Sequence, residues 1–376
     1  RNSGAVIMII NESETLALHK ELVKTPSVSG NENVLADFVE SWMRNRVDNV
    51  HRIGNSVVAL YGPGPYLLLN SHLDTVPECE GWSRDPYDVE PVDGVVYGLG
   101  SNDAKGAGAA LMAAFDHSVR HEVSGSVALV LVEGEETTGK GTSNSLQFFQ
   151  DHEIGISAAI VGEPTGLDIA VAQKGLLILE IIAESTPCHA ARATQLGVAN
   201  PIAALANDIA AVCRLEWPEV DAFLGPISLQ PTVIKGGSVK NQVPGLASVT
   251  FDIRSTNAYS HNEIIERFEK AVDGRVNVVS TRLTPASTSD SSKIVRAASS
   301  VRPGSTLYGS ATMSDMVFMQ DIPSIKTGPG ISARSHTPDE FILEEEILAG
   351  AEFYVKVVQE YSRLARLEGA KQEVTA

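Results

Sequence analysis

Hydrophobic and polar positions along the chain follow two periods that take turns. Apolar residues recur at three- and four-residue spacing over 14–23 and 31–44, which predicts two amphipathic helices. Between them, Thr25-Pro26-Ser27-Val28-Ser29-Gly30 has the composition of a turn. Residues 56–61 and 66–70 predict strands, and the unbroken Leu67-Leu68-Leu69 suits a sheet covered on both faces. The Ala-rich stretch 104–119 predicts a helix, and 126–132 and 158–161 predict further buried strands. Strands that alternate with helices imply an α/β layer: a mixed, mostly parallel sheet with flanking helices.

Near Gly175 the pattern changes. Residues 176–184, 232–234, 248–254 and 276–283 predict strands, and 201–213 and 261–272 predict helices, as in an α+β unit. The Pro/Ser/Thr/Asp-rich stretch 284–292 closes it, and a strand at 324–326 and a long helix at 344–358 rejoin the first layer. The expected organisation is one domain, 1–175 and 288–376, interrupted by a smaller one at 176–287.

Composition narrows the class. The 376 residues carry 29 Lys+Arg against 47 Asp+Glu, a net charge of −18. Nucleic acid and anionic membrane surfaces need a cationic face, so neither is expected as a partner. No run approaches the roughly 18 apolar residues of a membrane span. The run at 6–10 is too short for a secretory core and is followed by Asn11-Glu12, so no signal peptide and a cytoplasmic location are expected. Three widely spaced cysteines, Cys79, Cys188 and Cys213, form no disulfide framework; Cys79 and Cys213 read as packing thiols.

The candidate chemistry lies at predicted strand ends, where open α/β sheets place their sites. His72-Leu73-Asp74 follows the first buried strand. Its alternation puts His72 and Asp74 on one side, as a metal-ligating imidazole with a nearby carboxylate or as a plain turn. Gly98-Leu99-Gly100-Ser101-Asn102-Asp103 precedes the Ala-rich helix. Asp103 stands where a dinucleotide fingerprint needs its third Gly and would repel pyrophosphate, which leaves a helix cap or a ligand shared by two cations. Glu133-Gly134-Glu135-Glu136 and Gly162-Glu163-Pro164-Thr165 follow two more strands, and His336 lies in a loop before the last helix. Taken together, His72, Asp103, Glu136, Glu163 and His336 can serve two divalent metals with Asp103 bridging, and Glu135 remains to act on a bound water. Three carboxylates and a hydroxide balance two dications, and ligation by His and carboxylate without Cys suits Zn²⁺ or Co²⁺.

In this order and spacing, the His-x-Asp, Gly-x-Gly-x-x-Asp-x-Lys-Gly, Glu-Glu, Gly-Glu-Pro-Thr and late His blocks resemble a zinc metallopeptidase family. Its members include acetylornithine deacetylase, succinyl-diaminopimelate desuccinylase, aminoacylase-1 and carboxypeptidase G. The resemblance covers nearly the whole chain. It implies a zinc-peptidase-like catalytic domain and an inserted lid and dimerisation domain. It also implies His72 and Glu163 on one metal, Glu136 and His336 on the other, Asp103 between them, Glu135 as general base and Asp74 as the partner of His72. Pro187-Cys188-His189-Ala190-Ala191 resembles a segment whose His reaches the partner subunit's site in a homodimer and stabilises the oxyanion; Cys188 replaces the usual Gly. Asn241 and Arg254 fall in segments that resemble holders of the substrate carboxylate. The 100–104, 161–165 and 332–336 segments are most similar to the acetylornithine-deacetylase-like members.

The expected activity is therefore deacylation of an N-acyl-L-amino acid, with N-acetylornithine or an N-acetyl or N-succinyl ornithine or citrulline first, as in arginine biosynthesis. The alternatives are a dipeptidase or carboxypeptidase, or a succinyl-diaminopimelate desuccinylase, of the same family. A metal-dependent binding protein is the remote one, since binding alone needs no positioned base.

Overall fold

The computed structural model describes residues 10–375, so the run at 6–10, apart from Ile10, lies outside the described residues. The chain divides into two compact units. The first comprises the residues up to Val171, Thr288–Tyr308 and those from Ser314 onward; the second comprises Ala172–Ser287 and Gly309–Met313. The short visit to the second unit at Gly309–Met313 depends on a missing side chain, because a Cβ on Gly309 would lie 2.3 Å from the carbonyl oxygen of Phe223.

In the first unit the large sheet runs in the order Val50–Ile53, Ser56–Tyr61, Val127–Val132, Tyr66–His72, Ile156–Gly162, Ser324–Thr327, Ile169–Gln173. The central pairings are parallel and the outer ones antiparallel, so the sheet is mixed, as its pattern predicts. Val127–Val132 and Tyr66–His72 are buried at every position, which explains why they read as continuous apolar runs. The helix Gly106–Arg120 is rich in Ala because it is sandwiched: it packs on the sheet and against the long helix Glu344–Thr375. Glu12–Lys24, capped by Asn11, and Asn33–Arg44 add Leu18, Leu22, Leu35, Val39 and Met43 to the core.

The second unit is a four-stranded antiparallel sheet in the order Ser228–Gly236, Leu246–Ser255, Gly175–Glu184, Arg275–Leu283. Helices Pro201–Val212 and His261–Ala271 cover one face and close a core around Leu177, Leu179, Ile181, Phe251 and Phe268. Cys79 and Cys213 are exposed rather than packed inside. Cys79 lies in a loop between Glu78 and Glu80, and Cys213 caps the end of the helix Pro201–Val212.

Candidate metal centre

Three adjacent parallel strands, Val127–Val132, Tyr66–His72 and Ile156–Gly162, end at one edge of the sheet. They deliver His72, the 133–136 turn and Glu163 there, and two loops add Asp103 and His336. Asp103 does not cap the following helix. It lies in a tight non-helical turn with φ −120° and ψ 97°, and the regular helix starts at Gly106.

Asp103 faces two imidazoles, one with each oxygen. Its Oδ1 is 3.5 Å from His72 Nε2 and its Oδ2 is 3.6 Å from His336 Nε2. Glu163 Oε1 is 4.0 Å from His72 Nε2, and Glu136 Oε1 is 2.9 Å from His336 Nε2. Among the described residues three groups have donor atoms within 4.8 Å of one another: His72–Asp103–Glu163 and Asp103–Glu136–His336, which share Asp103, and His72–Glu135–Glu136. Ligand atoms about 2.1 Å from a tetrahedral zinc lie about 3.4 Å apart. The Asp103–imidazole separations match that spacing and exceed a hydrogen bond, so the donor set fits a pair of cations that share Asp103.

Electrostatics point the same way. Burial pushes the Glu135 carboxyl well above its ordinary range; His72 opposes that, and Glu163, Asp315 and Glu136 add to it. Burial and the neighbouring Asp103 push Glu163 up to about 8. His336 is raised to about 9, first by its hydrogen bond to Glu136. Burial would lower His72, yet Asp103 and Asp74 hold it well above 6.5. These carboxyls crowd into a low-dielectric place that positive charge would make tolerable, and divalent cations supply that charge.

Asp74 is wholly buried and holds more than His72. The imidazole Nδ1 lies 2.9 Å from the Asp74 carbonyl oxygen and 3.5 Å from its carboxylate. The carboxylate accepts the backbone N–H groups of Glu135 and Glu136 at 3.0 and 3.2 Å and the Ser29 hydroxyl at 2.6 Å. It therefore fixes the turn that carries Glu135 and Glu136, while its own main chain orients His72.

The remaining predicted residues belong to the second unit. His189 is exposed, on the short strand Cys188–His189, which pairs antiparallel with Gln242–Val243. Its Nδ1 accepts the Ala191 N–H at 3.2 Å, so the neutral ring carries its proton on Nε2. Asn241 accepts the Ala190 N–H through its carbonyl at 2.9 Å. Arg254 turns Nε and Nη2 toward Asp252, at 2.9 and 3.2 Å, so this guanidinium fork already has a carboxylate partner.

Two further residues matter here and have no strong signal in the sequence. Asp315, 1% exposed at the head of the short turn Asp315–Phe318, adds to the negative field around Glu135 and Glu163. Asn102 joins the Asp103 loop to the His336 loop: its Nδ2 donates to the Ile331 carbonyl and to Ser335 Oγ, and its Oδ1 accepts the Ile331 N–H. The first lies outside every motif; the second stands next to a ligand and reads as filler.

Known proteins share the sequence pattern and the fold. The model of peptidase family M20/M25/M40 matches residues 68–360. Succinyl-diaminopimelate desuccinylase of Sulfurimonas denitrificans is 29% identical over 272 residues, covering 69% of this chain and 73% of that protein. The protein of the same name from Rhodospirillum rubrum is 26% identical over 387 residues, covering 92% and 98%. Among solved structures, a Bacillus subtilis protein described as a dinuclear metal-binding peptidase of the M20 family superposes with a TM-score of 0.72 at 15% identity. That match covers 94% of this chain and 98% of the other.

Proposed function

Because the chain belongs to peptidase family M20/M25/M40 and so to a family of metal-dependent hydrolases, we propose that it cleaves the amide bond of an N-acyl-L-amino acid. The observation that carries this reading is Asp103, with one oxygen toward His72 and the other toward His336, beside a half-buried carboxyl, Glu135, that neither of the two groups sharing Asp103 requires. His72, Glu163 and Asp103 would hold one divalent cation, and Glu136, His336 and Asp103 the second; Zn²⁺ is the first choice and Co²⁺ the next. Such a pair supplies Lewis-acid polarisation of an acyl carbonyl and activation of water at neutral pH.

The chain's own groups do the rest. Glu135 takes the proton of the attacking water and later delivers it to the leaving amine. Asp74 keeps Glu135 in place through its bond to the backbone N–H. His189, protonated on Nε2, donates to the oxyanion that forms as the carbonyl is attacked, and Asn241 and Arg254 hold the substrate carboxylate. For Arg254 this requires it to exchange or share its partner Asp252. A homodimer through the second unit is part of the proposal. It is supported by the outer strand Ser228–Gly236, where Val233 and Ile234 are 46% and 66% exposed on an unpaired sheet edge.

The names of the sequence relatives change the order of substrates. They favour a succinyl group on diaminopimelate over the acetyl group on ornithine that the motif segments suggest, and so lysine rather than arginine biosynthesis. The deciding experiment incubates zinc- or cobalt-loaded protein with N-succinyl-diaminopimelate, N-acetylornithine, N-acetylcitrulline and simple dipeptides. Release of the free amine from an acyl-amino acid, fastest with the succinyl substrate, is the expected outcome. Hydrolysis of dipeptides alone would overturn the acyl-amino-acid reading.

A further inference from the structure

We infer that Glu340 is the positioning residue that sets Asp103 between the two cation sites and joins its loop to that of His336. The inference rests on the metal reading above and adds a residue to it. Glu340 is a carboxylate only 1% exposed. Its partners are backbone amides. Oε1 accepts the N–H groups of Asn102 and Asp103, both at 2.9 Å, and Oε2 accepts that of Gly100 at 3.2 Å. Its main-chain carbonyl accepts the Gly98 N–H at 2.9 Å and the Ser101 hydroxyl at 3.4 Å.

The local backbone explains why an acid is needed there. The 98–105 loop departs from helical φ/ψ at Asp103 and Ala104, and a buried amide without an acceptor is costly. A single carboxylate collecting three converging N–H groups replaces the missing ladder, much as a nest of amides holds an anion. The loop has little freedom to reach its shape otherwise. Gly100 sits at φ +75°, and a Cβ there would approach Thr75 Cγ2 to 2.5 Å. The Lys105 ammonium is equally buried; burial lowers its pKa to about 7, and the nearby Glu340 opposes that drop.

The other end of the device is the chain position of Glu340. It lies four residues beyond His336, and the strand that follows, Phe341–Leu343, pairs with Val95–Tyr97, so the two loops are clamped at a defined register. Asn102 makes a second clamp to the same loop. Asp103 and His336, two of the three ligands proposed for one cation, therefore depend on loops that Glu340 joins. On the other cation only the shared Asp103 depends on them, and His72 and Glu163 are held at strand ends.

That asymmetry gives the test. Apo protein is titrated with Co²⁺, following visible absorption and, at saturation, the electron paramagnetic resonance signature of two cobalt ions coupled through a carboxylate bridge. Wild type is expected to take up two ions. Glu340→Gln keeps an acceptor for Asn102 and Asp103 but turns an NH₂ toward the Gly100 N–H. It should fold, bind the first ion within about threefold of wild type, and bind the second about tenfold or more weakly with reduced coupling, the range seen when outer partners of metal ligands are changed. Glu340→Ala should lose the second ion further; if it does not fold, the Gln variant decides. Two ions bound by Glu340→Gln as tightly as by wild type, or both weakened equally, would overturn the inference while leaving the metal reading intact. A wild type that binds no ion defeats the metal reading, and the inference with it.

Discussion

Glu135 and Glu136 are neighbours in the chain with different duties. Glu136 pairs with His336 across the site, while Glu135 is aimed by the Asp74 carboxylate through its backbone N–H. Glu135→Gln preserves shape and removes only the proton acceptor. It should keep its cations and lose about a thousandfold or more in turnover, read by steady-state kinetics on metal-matched protein. Near-normal turnover at equal metal content would refute the assignment. His19 offers a separate prediction at this scale. Burial lowers its pKa from 6.5 to about 4, against a bond from Nε2 to the Ser101 carbonyl. The unfolded chain takes up this proton near pH 6.5 and the folded chain only near pH 4. The stability from a neutral His19 is thus complete above pH 6.5 and is lost as pH falls toward 4, by about 3 kcal/mol in all. Denaturant melts should show His19→Gln with a shallower loss over that window. That His72, Asp103, Glu136, Glu163 and His336 would come together was legible in the sequence, because His and carboxylates at buried strand ends have few structural reasons to be there. Glu340 was not, because its partners are backbone amides that no side-chain motif encodes, and the carbonyl of Asp74 nearest His72 is invisible for the same reason.

Elements were legible where their faces differ. The Asn200-Pro201 start marks a helix directly: Asn200 Oδ1 accepts the Ile202 N–H at 2.9 Å, and Pro201 fills the first turn, where its missing N–H costs nothing. Asn200→Ala should destabilise the second unit by about 1 kcal/mol, read from its unfolding transition. No change in that transition would show that packing alone holds the helix. Lys140–Asp151 was missed because its sequence, KGTSNSLQFFQD, has too few apolar residues to show a 3.6-residue period; it is held by Phe149 and by small residues close to the sheet. Lys293–Val301 was missed because it follows a Ser/Thr-rich linker and is only nine residues long. Tertiary burial of Ile294, Val295, Ala297 and Ala298 makes it a helix, and such burial is not local information.

At the scale of the whole molecule, the chain reaches its site from both sides of the second unit. His72, Asp103, Glu136 and Glu163 come before Ala172–Ser287, and His336 and Glu340 come after it. The five proposed ligands are thus far apart in the chain, and the first unit must close before the two proposed cation sites, each of three ligands, are complete. Part of the charge of −18 is spent there, since Asp74, Asp103, Glu135, Glu136 and Glu163 share one small region. The direct test is anomalous diffraction at the metal edge from crystals of the zinc-loaded protein. Two peaks are predicted, one bonded to each oxygen of Asp103, with His72 and Glu163 completing the first and Glu136 and His336 the second. A single peak, or two that do not share Asp103, would contradict the account.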